Sequence, residues 1–213
     1  MTNAFVTLEG TEGVGKSTSL AYIEQRLVSA GQRVVVTREP GGTPLGEEIR
    51  HWILDGEHTH LSAEIEALLM FAARGRHLDD VIRPALAEGA WVLCDRFTDA
   101  TMAYQGGGRG AAAGFLESLK AGIQGDLEPD LTLLFDAPVE IGLARIANRE
   151  PDHFERENHA FFARVRNGYL DLAERYPERI KLIDATQSID QVEEQLRSHL
   201  DALLNETVED DRT

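Results

Sequence analysis

The sequence has one cysteine and no long apolar run. Cys94 is the single cysteine among 213 residues, which excludes an internal disulfide framework and is typical of a reducing compartment. Its apolar neighbours at 91–93 predict a buried structural thiol without a chemical role. No segment approaches the ~20 apolar residues that a membrane-spanning helix needs, and the N-terminus enters a strand pattern without a basic leader region. We therefore expect a cytoplasmic protein without a membrane partner.

Positive charge is also scarce. The chain has 21 Lys and Arg against 37 Asp and Glu, for a formal net charge of -16. Nucleic-acid binding needs clustered basic residues that displace counterions, so we expect no nucleic-acid partner, although a small polyanion remains compatible where basic residues converge. The seven histidines lack the spacing of a metal site, so no zinc is expected. Residues 206–213 are predicted to form an acidic C-terminal tail.

Short apolar runs rich in β-branched residues alternate with longer helical patterns. Strands are predicted at 5–8, 34–37, 91–94, 131–135 and 180–183. Leu20, Ile23 and Leu27 mark one face of a first helix that ends at Gly31, and Ser62 caps a longer helix. Further helices are predicted at 44–54, 111–123, 138–148, 155–175 and 189–204. The alternation predicts an α/β fold in three layers, a five-stranded parallel sheet with helices on both faces, in one domain spanning 1–205.

The first predicted strand leads directly into a glycine-rich loop. Residues 10–17 match G-x-x-x-x-G-K-[ST], and a helix follows at once. In such a loop the backbone N–H groups surround phosphate oxygens, Lys16 supplies positive charge, and the Ser17 hydroxyl can ligate Mg²⁺. The pattern predicts a P-loop NTPase-type fold that binds ATP or GTP. The predicted contacts to the nucleotide phosphates are Gly10, Thr11, Glu12, Gly13, Val14, Gly15, Lys16, Ser17 and Thr18.

Two carboxylates at strand ends are candidates for a second metal ligand. Asp95 follows the strand at 91–94, and Asp136 follows the strand at 131–135. Ligands of open α/β sheets gather at the carboxyl ends of the strands, so both positions are suitable. Asp95 is favoured because Arg96 comes next and adds a group that can bind phosphate. For Asp136 an alternative remains open, namely a helix cap near Pro138.

A second set of polar residues indicates a second phosphorylated ligand. A GTPase would need an Asn-Lys-x-Asp segment to read guanine, and the sequence has none. Instead, Arg38 lies in 37–43 after the second strand, where it could face an anion across from the P-loop. An exposed arginine in a polar turn is the alternative for Arg38. The pattern favours a transferase over a switch protein.

Motifs along the whole chain resemble those of bacterial thymidylate kinases. They are the P-loop with Glu12 inside it and the segments at 37–42, 71–74, 95–97 and 104–110. The resemblance implies phosphorylation of dTMP to dTDP with ATP and Mg²⁺, in the synthesis of dTTP for DNA replication, and a homodimer. The open alternatives are a kinase for another nucleoside monophosphate or small acceptor, and an ATP-binding module without catalysis.

The resemblance also implies roles for residues of an acceptor site. Phe71 would stack on the pyrimidine and Arg74 would donate to its carbonyl edge, although core packing remains an alternative for Phe71. Tyr104 would crowd a 2'-hydroxyl and Gln105 would lie near the base edge. The remaining implied contacts are Glu12 to the 3'-hydroxyl, Arg38 and Arg96 to the acceptor phosphate, and Thr101 and Asp95 elsewhere in the pocket, with Ser17 and Asp95 as metal ligands.

The predicted lid at 145–155 departs from the family pattern. The P-loop has no arginine between its glycines, and in such family members the lid supplies one. The lid of this chain is short and has His153 where arginine is common. Arg149 is therefore predicted to contact the transferred phosphoryl group, together with Lys16 and Arg96 as catalytic residues. Arg145 and Arg156 are the remaining lid candidates.

Overall fold

The predicted strands form one parallel sheet. The computed structural model describes residues 3–54, 61–147, 154–155 and 157–210. The strands are β1 (Phe5–Glu9), β2 (Val34–Arg38), β3 (Trp91–Asp95), β4 (Leu131–Asp136) and β5 (Ile180–Asp184), in the spatial order β2-β3-β1-β4-β5. All neighbouring pairs are parallel, so every carboxyl end lies at the same edge of the sheet. The predicted fold class is confirmed.

Helices occupy the segments between the strands. The α-helices are α1 (Lys16–Ser29), α2 (Pro44–Leu54), α3 (Ala63–His77), α4 (Arg83–Ala87), α5 (Thr98–Thr101), α6 (Ala113–Ile123), α7 (Val139–Ile146), α8 (His159–Arg175) and α9 (Ile189–Asp210). Two π-helical segments, Leu78–Ile82 and Met102–Gly108, join α3 to α4 and continue α5. Within the described residues, no helix combines the length and the apolar character that crossing a membrane requires.

The core is divided between the two faces of the sheet. On one face, α1 and α9 cover alternate strand residues, and Ile23 and Leu196 belong to the same buried cluster as Val6 and Leu8. The other face is covered by two further clusters, one around the segment Leu78–Ile82 and α4 and one around α8. Central strands buried on both faces explain the nearly continuous apolar runs of the sequence. Cys94 is completely buried in β3, as predicted.

Several helix ends differ from those predicted. Helix α8 begins at His159 rather than 155, because the Asn158 side chain accepts from the N–H of Phe161 at 2.9 Å and caps the helix. The Ser62 cap of α3 is confirmed by its bond from the N–H of Ile65. Helix α9 continues to Asp210, so the backbone of the first residues of the predicted tail is helical.

Helix α3 exposes apolar residues and buries polar ones. Ile65 and Leu68 are 46% and 49% exposed, whereas Glu66 and Arg74 are each 2% exposed. The buried charges are tolerated because each is paired, Arg74 with Glu39 and Glu66 with Arg109. The interior face of α3 therefore combines buried charged residues with apolar ones such as Ala67 and Phe71, which an apolar stripe alone would not predict.

Candidate active site

The glycine-rich loop connects β1 to the first turn of α1. The ammonium group of Lys16 donates to the carbonyl oxygens of Gly10 and Thr11 at 3.0 and 2.7 Å. Burial, with the nearby Arg96 acting in the same direction, lowers the pKa of Lys16 to about 8. Ser17 and Thr18 are exposed at the start of the helix. The loop thus combines a held lysine with an accessible helix N-terminus, which is the geometry of an anion site.

Two glycines let the loop approach α7 closely. Gly13 has φ of 71°, and a Cβ atom on it would lie 2.1 Å from the carbonyl oxygen of Gly142. A Cβ on Gly142 would in turn lie 2.4 Å from the carbonyl oxygen of Glu12. Any larger residue at either position would force the loop and α7 apart. The helix that leads into the predicted lid is therefore in direct backbone contact with the P-loop.

A cavity of about 470 Å³ joins the P-loop to a second group of residues. The P-loop side is lined by residues 12–18, and the other side is formed by α2, α3 and the segment from Phe97 to Gln105. The predicted acceptor residues in the lining are Glu12, Arg74, Asp95, Arg96, Thr101, Tyr104 and Gln105. The structure thus brings most of the predicted site together in one cavity that is continuous with the P-loop.

Arg96 lies where the two parts of the cavity meet. Its guanidinium donates to the carbonyl oxygen of Gly10 and to the carboxylate of Glu12, both at 2.8 Å. The hydroxyl of Tyr104 donates to the same carboxylate at 2.7 Å. Arg96 is also a non-glycine residue with φ of 70°, a costly conformation for a side chain to hold. This strained residue links the P-loop to the predicted acceptor side.

A buried carboxyl group is linked to Arg96 through the hydroxyl of Tyr169. Glu9, at the end of β1, is completely buried and accepts from the hydroxyl of Tyr169 and the N–H of Phe97, both at 2.7 Å. The Tyr169 hydroxyl in turn accepts from Arg96 at 3.2 Å. Burial raises the pKa of Glu9 to about 8, and the negative charge of Asp99 acts in the same direction. Sequence reasoning missed both Glu9 and Tyr169.

Arg74 is held rigidly and retains one unused donor. Its Nε donates to Glu39 at 2.8 Å and one terminal nitrogen donates to Thr101 at 3.0 Å. The other terminal nitrogen, Nη1, is buried and has no hydrogen-bond partner within the described residues. Glu39 is itself fixed by His77, whose other ring nitrogen contacts Thr37. Because a buried donor without a partner is costly, Nη1 marks a place where a ligand acceptor would fit.

Gln105 has a buried acceptor oxygen that complements the unused donor of Arg74. It lies in the π-helical segment Met102–Gly108, a backbone form that is frequent at functional sites. The carboxamide nitrogen donates to Glu66 at 3.2 Å, whereas the carboxamide oxygen is buried without a partner in the part of the chain that is described. One unused acceptor on Gln105 and one unused donor on Arg74 therefore line the same cavity.

Two predicted acceptor residues lie outside the cavity lining. Arg38 is 53% exposed and pairs with Glu47 at 2.8 Å, as expected for the alternative of a surface arginine. Arg50, on α2, lines the cavity instead and donates to the carbonyl oxygen of Pro40 at 3.1 Å. Phe71 is 1% exposed and lies beneath the Arg74 guanidinium, 4.6 Å from it, which fits the alternative of core packing.

Met70 takes the position in the lining that was predicted for Phe71. It precedes Arg74 by four residues, so the two side chains share a face of α3. Phe71 is also next to Arg74, with its ring under the guanidinium, but it is buried in the core and does not line the cavity. Both spacings place a side chain beside Arg74, and of the two only Met70 reaches the cavity lining.

The two candidate metal ligands of the sequence have different environments. Asp95 lines the cavity together with Ser17, and its Oδ1 is buried without a partner among the described residues. Asp136 instead receives two bonds from Arg166, at 2.6 and 2.7 Å, and its side chain makes no helix cap. In the described ranges no group of three or more His, Cys, Asp and Glu could hold a metal ion alone. A cation held jointly by Asp95, Ser17 and nucleotide phosphates fits this donor set.

Comparisons with known proteins identify the family. The thymidylate kinase family model matches residues 8–196. Thymidylate kinases of Pseudomonas putida and Pseudomonas syringae are each 54% identical to this chain over 210 residues, covering 98% of this chain and 98% of each relative. The crystal structure of thymidylate kinase from Ehrlichia chaffeensis matches with a TM-score of 0.77 and 31% identity, covering 94% of this chain and 99% of that chain. The chain belongs to the thymidylate kinase family.

In this thymidylate kinase family member, the predicted lid is described only in part. Arg149, His153 and Arg156 lie outside the described residues. Arg145 is described, lines the cavity, and donates to the carbonyl oxygens of Gly13 and Ala185 at 3.3 and 3.1 Å. At the other end of the lid, Phe154 and Glu155 also line the cavity. The described residues at the two ends of the predicted lid therefore line the same cavity as the P-loop.

The residues of this kinase site that sequence reasoning missed share one property. Glu9, Glu39, Glu66 and Tyr169 are buried polar residues that hold other site residues in place. Nothing in the local sequence of Glu39, Glu66 and Tyr169 distinguishes them from surface residues or ordinary core aromatics. Glu9, at the end of an apolar strand run, is the one with a local sign of a buried functional group, because Glu is almost never fully buried unless paired.

Proposed function

We propose that this thymidylate kinase family enzyme transfers the γ-phosphoryl group of ATP to dTMP within the single cavity, with ATP phosphates in the P-loop and dTMP between α3 and the segment Met102–Gly108. The observation that carries the proposal is the pair of unused polar atoms, Arg74 Nη1 and Gln105 Oε1, in a cavity continuous with the P-loop. The product dTDP is the precursor of dTTP.

Thymine matches the two unused atoms. Its O4 is an acceptor for the Arg74 donor, and its N3–H is a donor for the Gln105 oxygen. Cytosine presents the opposite pattern at both positions, an amino group and an unprotonated N3. A site built to bond a given group rejects an analogue that leaves its buried polar atoms unpaired. Met70 would pack against the face of the base as a soft apolar surface.

The sugar and phosphate of dTMP would lie toward the P-loop. Tyr104 lines the cavity and its hydroxyl donates to Glu12, which supports a role in which the ring would crowd a 2'-hydroxyl and Glu12 would receive the 3'-hydroxyl. Arg96 and Arg50 supply the positive charge for the acceptor phosphate. Arg50 is preferred over Arg38, which the family resemblance implied for this role, because Arg50 lines the cavity and Arg38 pairs with Glu47 outside the lining.

The transfer step relies on position and charge. The acceptor phosphate needs no strong base, because its second pKa of about 6 makes it largely a dianion near neutral pH. Lys16 and Arg96 would hold the donor and acceptor phosphates in line, which supplies much of the rate enhancement in phosphoryl transfer. Ser17 and Asp95 would hold Mg²⁺, which neutralises phosphate charge when it is bound.

Arg149 is proposed to stabilise the transferred phosphoryl group from the lid. Arginines in this role increase kcat by ~10³-fold or more. Arg149→Ala should therefore lower kcat by about this factor, while the KM for dTMP changes little. Arg197→Ala, an exposed arginine paired with Glu194, is the matched control. Turnover near that of the control would reassign the role to Arg145 or Arg156.

The acceptor assignment is tested with a panel of nucleoside monophosphates. Coupled ADP-release assays should give the highest kcat/KM with dTMP, and much lower values with dCMP, CMP and UMP. Equal activity on CMP or UMP would contradict the assignment to dTMP. ATP binding without acceptor-dependent turnover would instead indicate the alternative of an ATP-binding module.

The assembly state is proposed to be a homodimer, and the kinase domain to span 1–205. Support comes from large apolar side chains exposed on α2 and α3, Trp52 at 53%, Ile65 at 46% and Leu68 at 49%, since contiguous exposed apolar surface marks interaction sites. Light scattering should report a dimer for the native enzyme and a monomer for Leu68→Glu. A monomeric native enzyme would contradict the proposal. The cytoplasmic location stays a prediction.

A further inference from the structure

We infer that Glu66, which lies behind the base pocket, determines base selectivity by fixing the orientation of the Gln105 carboxamide. The inference rests on the proposed dTMP site. A carboxamide has one acceptor end and one donor end, and rotation by a half turn exchanges them. The side of Gln105 that faces the base therefore decides whether the site accepts the N3–H of thymine or donates to the N3 of cytosine.

Glu66 can satisfy only one of the two orientations. An ionised carboxylate has acceptors and no donor, so the Gln105 nitrogen must face it, as the 3.2 Å bond from Nε2 to Glu66 records. The reverse orientation would place the carboxamide oxygen against the carboxylate, a repulsive contact that loses a buried hydrogen bond. The oxygen is consequently directed away from Glu66, and it is the atom left without a protein partner.

Glu66 is also paired with a guanidinium group. Glu66 is 2% exposed, and a buried carboxylate is stable only when it is paired. The Arg109 guanidinium supplies the pair, with its Nε at 3.2 Å from one carboxylate oxygen and 3.3 Å from the other. Arg109 is held in turn by Glu157 and by the ring of Phe161, 4.9 Å from its guanidinium carbon.

Helix α3 thus carries three parts of one recognition surface. Glu66, Met70 and Arg74 follow each other at intervals of four residues, so they lie along one face. Met70 lines the cavity between the position that orients Gln105 and the residue that provides the donor Nη1. The donor for O4 comes directly from α3, whereas the acceptor for N3–H is set by α3 through Gln105. Glu66 is a positioning residue and does not itself touch the base.

The test replaces Glu66 with its isosteric amide and measures selectivity. In Glu66→Gln the new side chain can both donate and accept, so Gln105 can adopt either orientation. The ratio of kcat/KM for dTMP to that for dCMP should fall about tenfold, because misplacing one buried hydrogen bond has about this effect. Most of the change should be a loss on dTMP, since Arg74 continues to disfavour cytosine.

A double-mutant cycle shows whether Glu66 acts through Gln105. Gln105→Ala removes the carboxamide, so adding Glu66→Gln to it should produce no further change in the ratio. Asp99→Asn is the matched control, because Asp99 is another buried carboxylate, paired with Arg179 at 2.6 Å, outside the cavity lining. This control should lose stability and keep the wild-type ratio.

The outcomes separate the inference from the proposed function. Equal losses on dTMP and dCMP in Glu66→Gln, or an undiminished effect of that change in the Gln105→Ala background, would overturn the inference and leave the dTMP assignment intact. A wild-type enzyme without preference for dTMP over dCMP would instead refute the proposed function. If Glu66→Gln does not fold, Glu66→Asp tests the inference instead. Because Glu66→Asp keeps an acceptor-only group, it should retain most of the selectivity for dTMP over dCMP.

Discussion

The donor and acceptor halves of the cavity are built in different ways. The donor half is a contiguous loop, residues 10–17, whose backbone and one lysine are proposed to surround the phosphates, with the lysine held by two carbonyl oxygens of the loop. The acceptor half is assembled from α2, α3 and the segment Met102–Gly108, and it depends on side chains that hold other side chains. Backbone groups bind any nucleotide phosphate, whereas oriented side chains distinguish one base from another. Generality and selectivity are therefore located in separate parts of one cavity.

The strongest test of this comparison concerns Arg96, which contacts both halves. Arg96→Ala should lower kcat about 10³-fold, because it removes a phosphate-facing charge and the bond that ties Glu12 to the P-loop. Steady-state kinetics with both substrates varied would measure the effect. Arg166→Ala, which breaks the pair with Asp136 outside the cavity, should stay within about threefold of wild type. A change confined to the KM for dTMP would show that Arg96 belongs to the acceptor half alone.

A second test compares two arginines of the acceptor half. Arg50→Ala should raise the KM for dTMP about 10- to 100-fold, because a charge-assisted hydrogen bond contributes about 1.5–3 kcal/mol. Arg38→Ala should change it less than about threefold, since Arg38 is half exposed and paired with Glu47. The reverse ranking would favour the assignment that family resemblance implied for Arg38.

The third test concerns Glu9, the buried carboxyl group linked to Arg96 through Tyr169. The pKa of Glu9 is raised to about 8 from an ordinary 4.5, so between these values the folded state binds more protons than the unfolded state. Its contribution to stability is complete below about pH 4.5 and is lost as the pH rises through about 8. The free energy of unfolding of the wild type, relative to Glu9→Gln, should therefore fall across this range, by at most about 1.4 kcal/mol per pH unit.

Urea denaturation at intervals from pH 5 to 9 would measure that difference. The groups that act on the pKa of Glu9 include Asp99, Arg96 and Tyr169. Lys16, whose own pKa is lowered to about 8, also interacts with Glu9 and titrates within this range. Of these, Arg96 and Tyr169 keep their charge states over this range, since the pKa of each lies well above its ordinary value. A pH-independent difference between the two proteins would contradict a raised pKa for Glu9.

The difference between the donor half and the acceptor half also explains which parts of the site the sequence could predict. The P-loop, the strands and the sheet edge that carries Asp95 follow from local patterns, because contiguous residues determine them. The acceptor half depends on pairs far apart in the chain, such as Arg74 with Glu39 and Gln105 with Glu66. No periodicity reveals such pairs. Arg38 and Phe71 were assigned from motif positions, and neither lines the cavity, because Arg38 pairs with Glu47 and Phe71 packs under Arg74.

The smallest expected effect concerns the face of the base. Met70→Ala should raise the KM for dTMP about three- to tenfold with little loss of stability, because it removes an apolar surface that lines the cavity. Phe71→Leu should keep the KM near wild type and lower the free energy of unfolding by about 1 kcal/mol, since Phe71 is a core residue beneath Arg74. Kinetics and urea denaturation on both variants separate the two roles. A larger KM effect from Phe71→Leu than from Met70→Ala would return the stacking role to Phe71, and would mean that α3 rotates when the nucleotide binds.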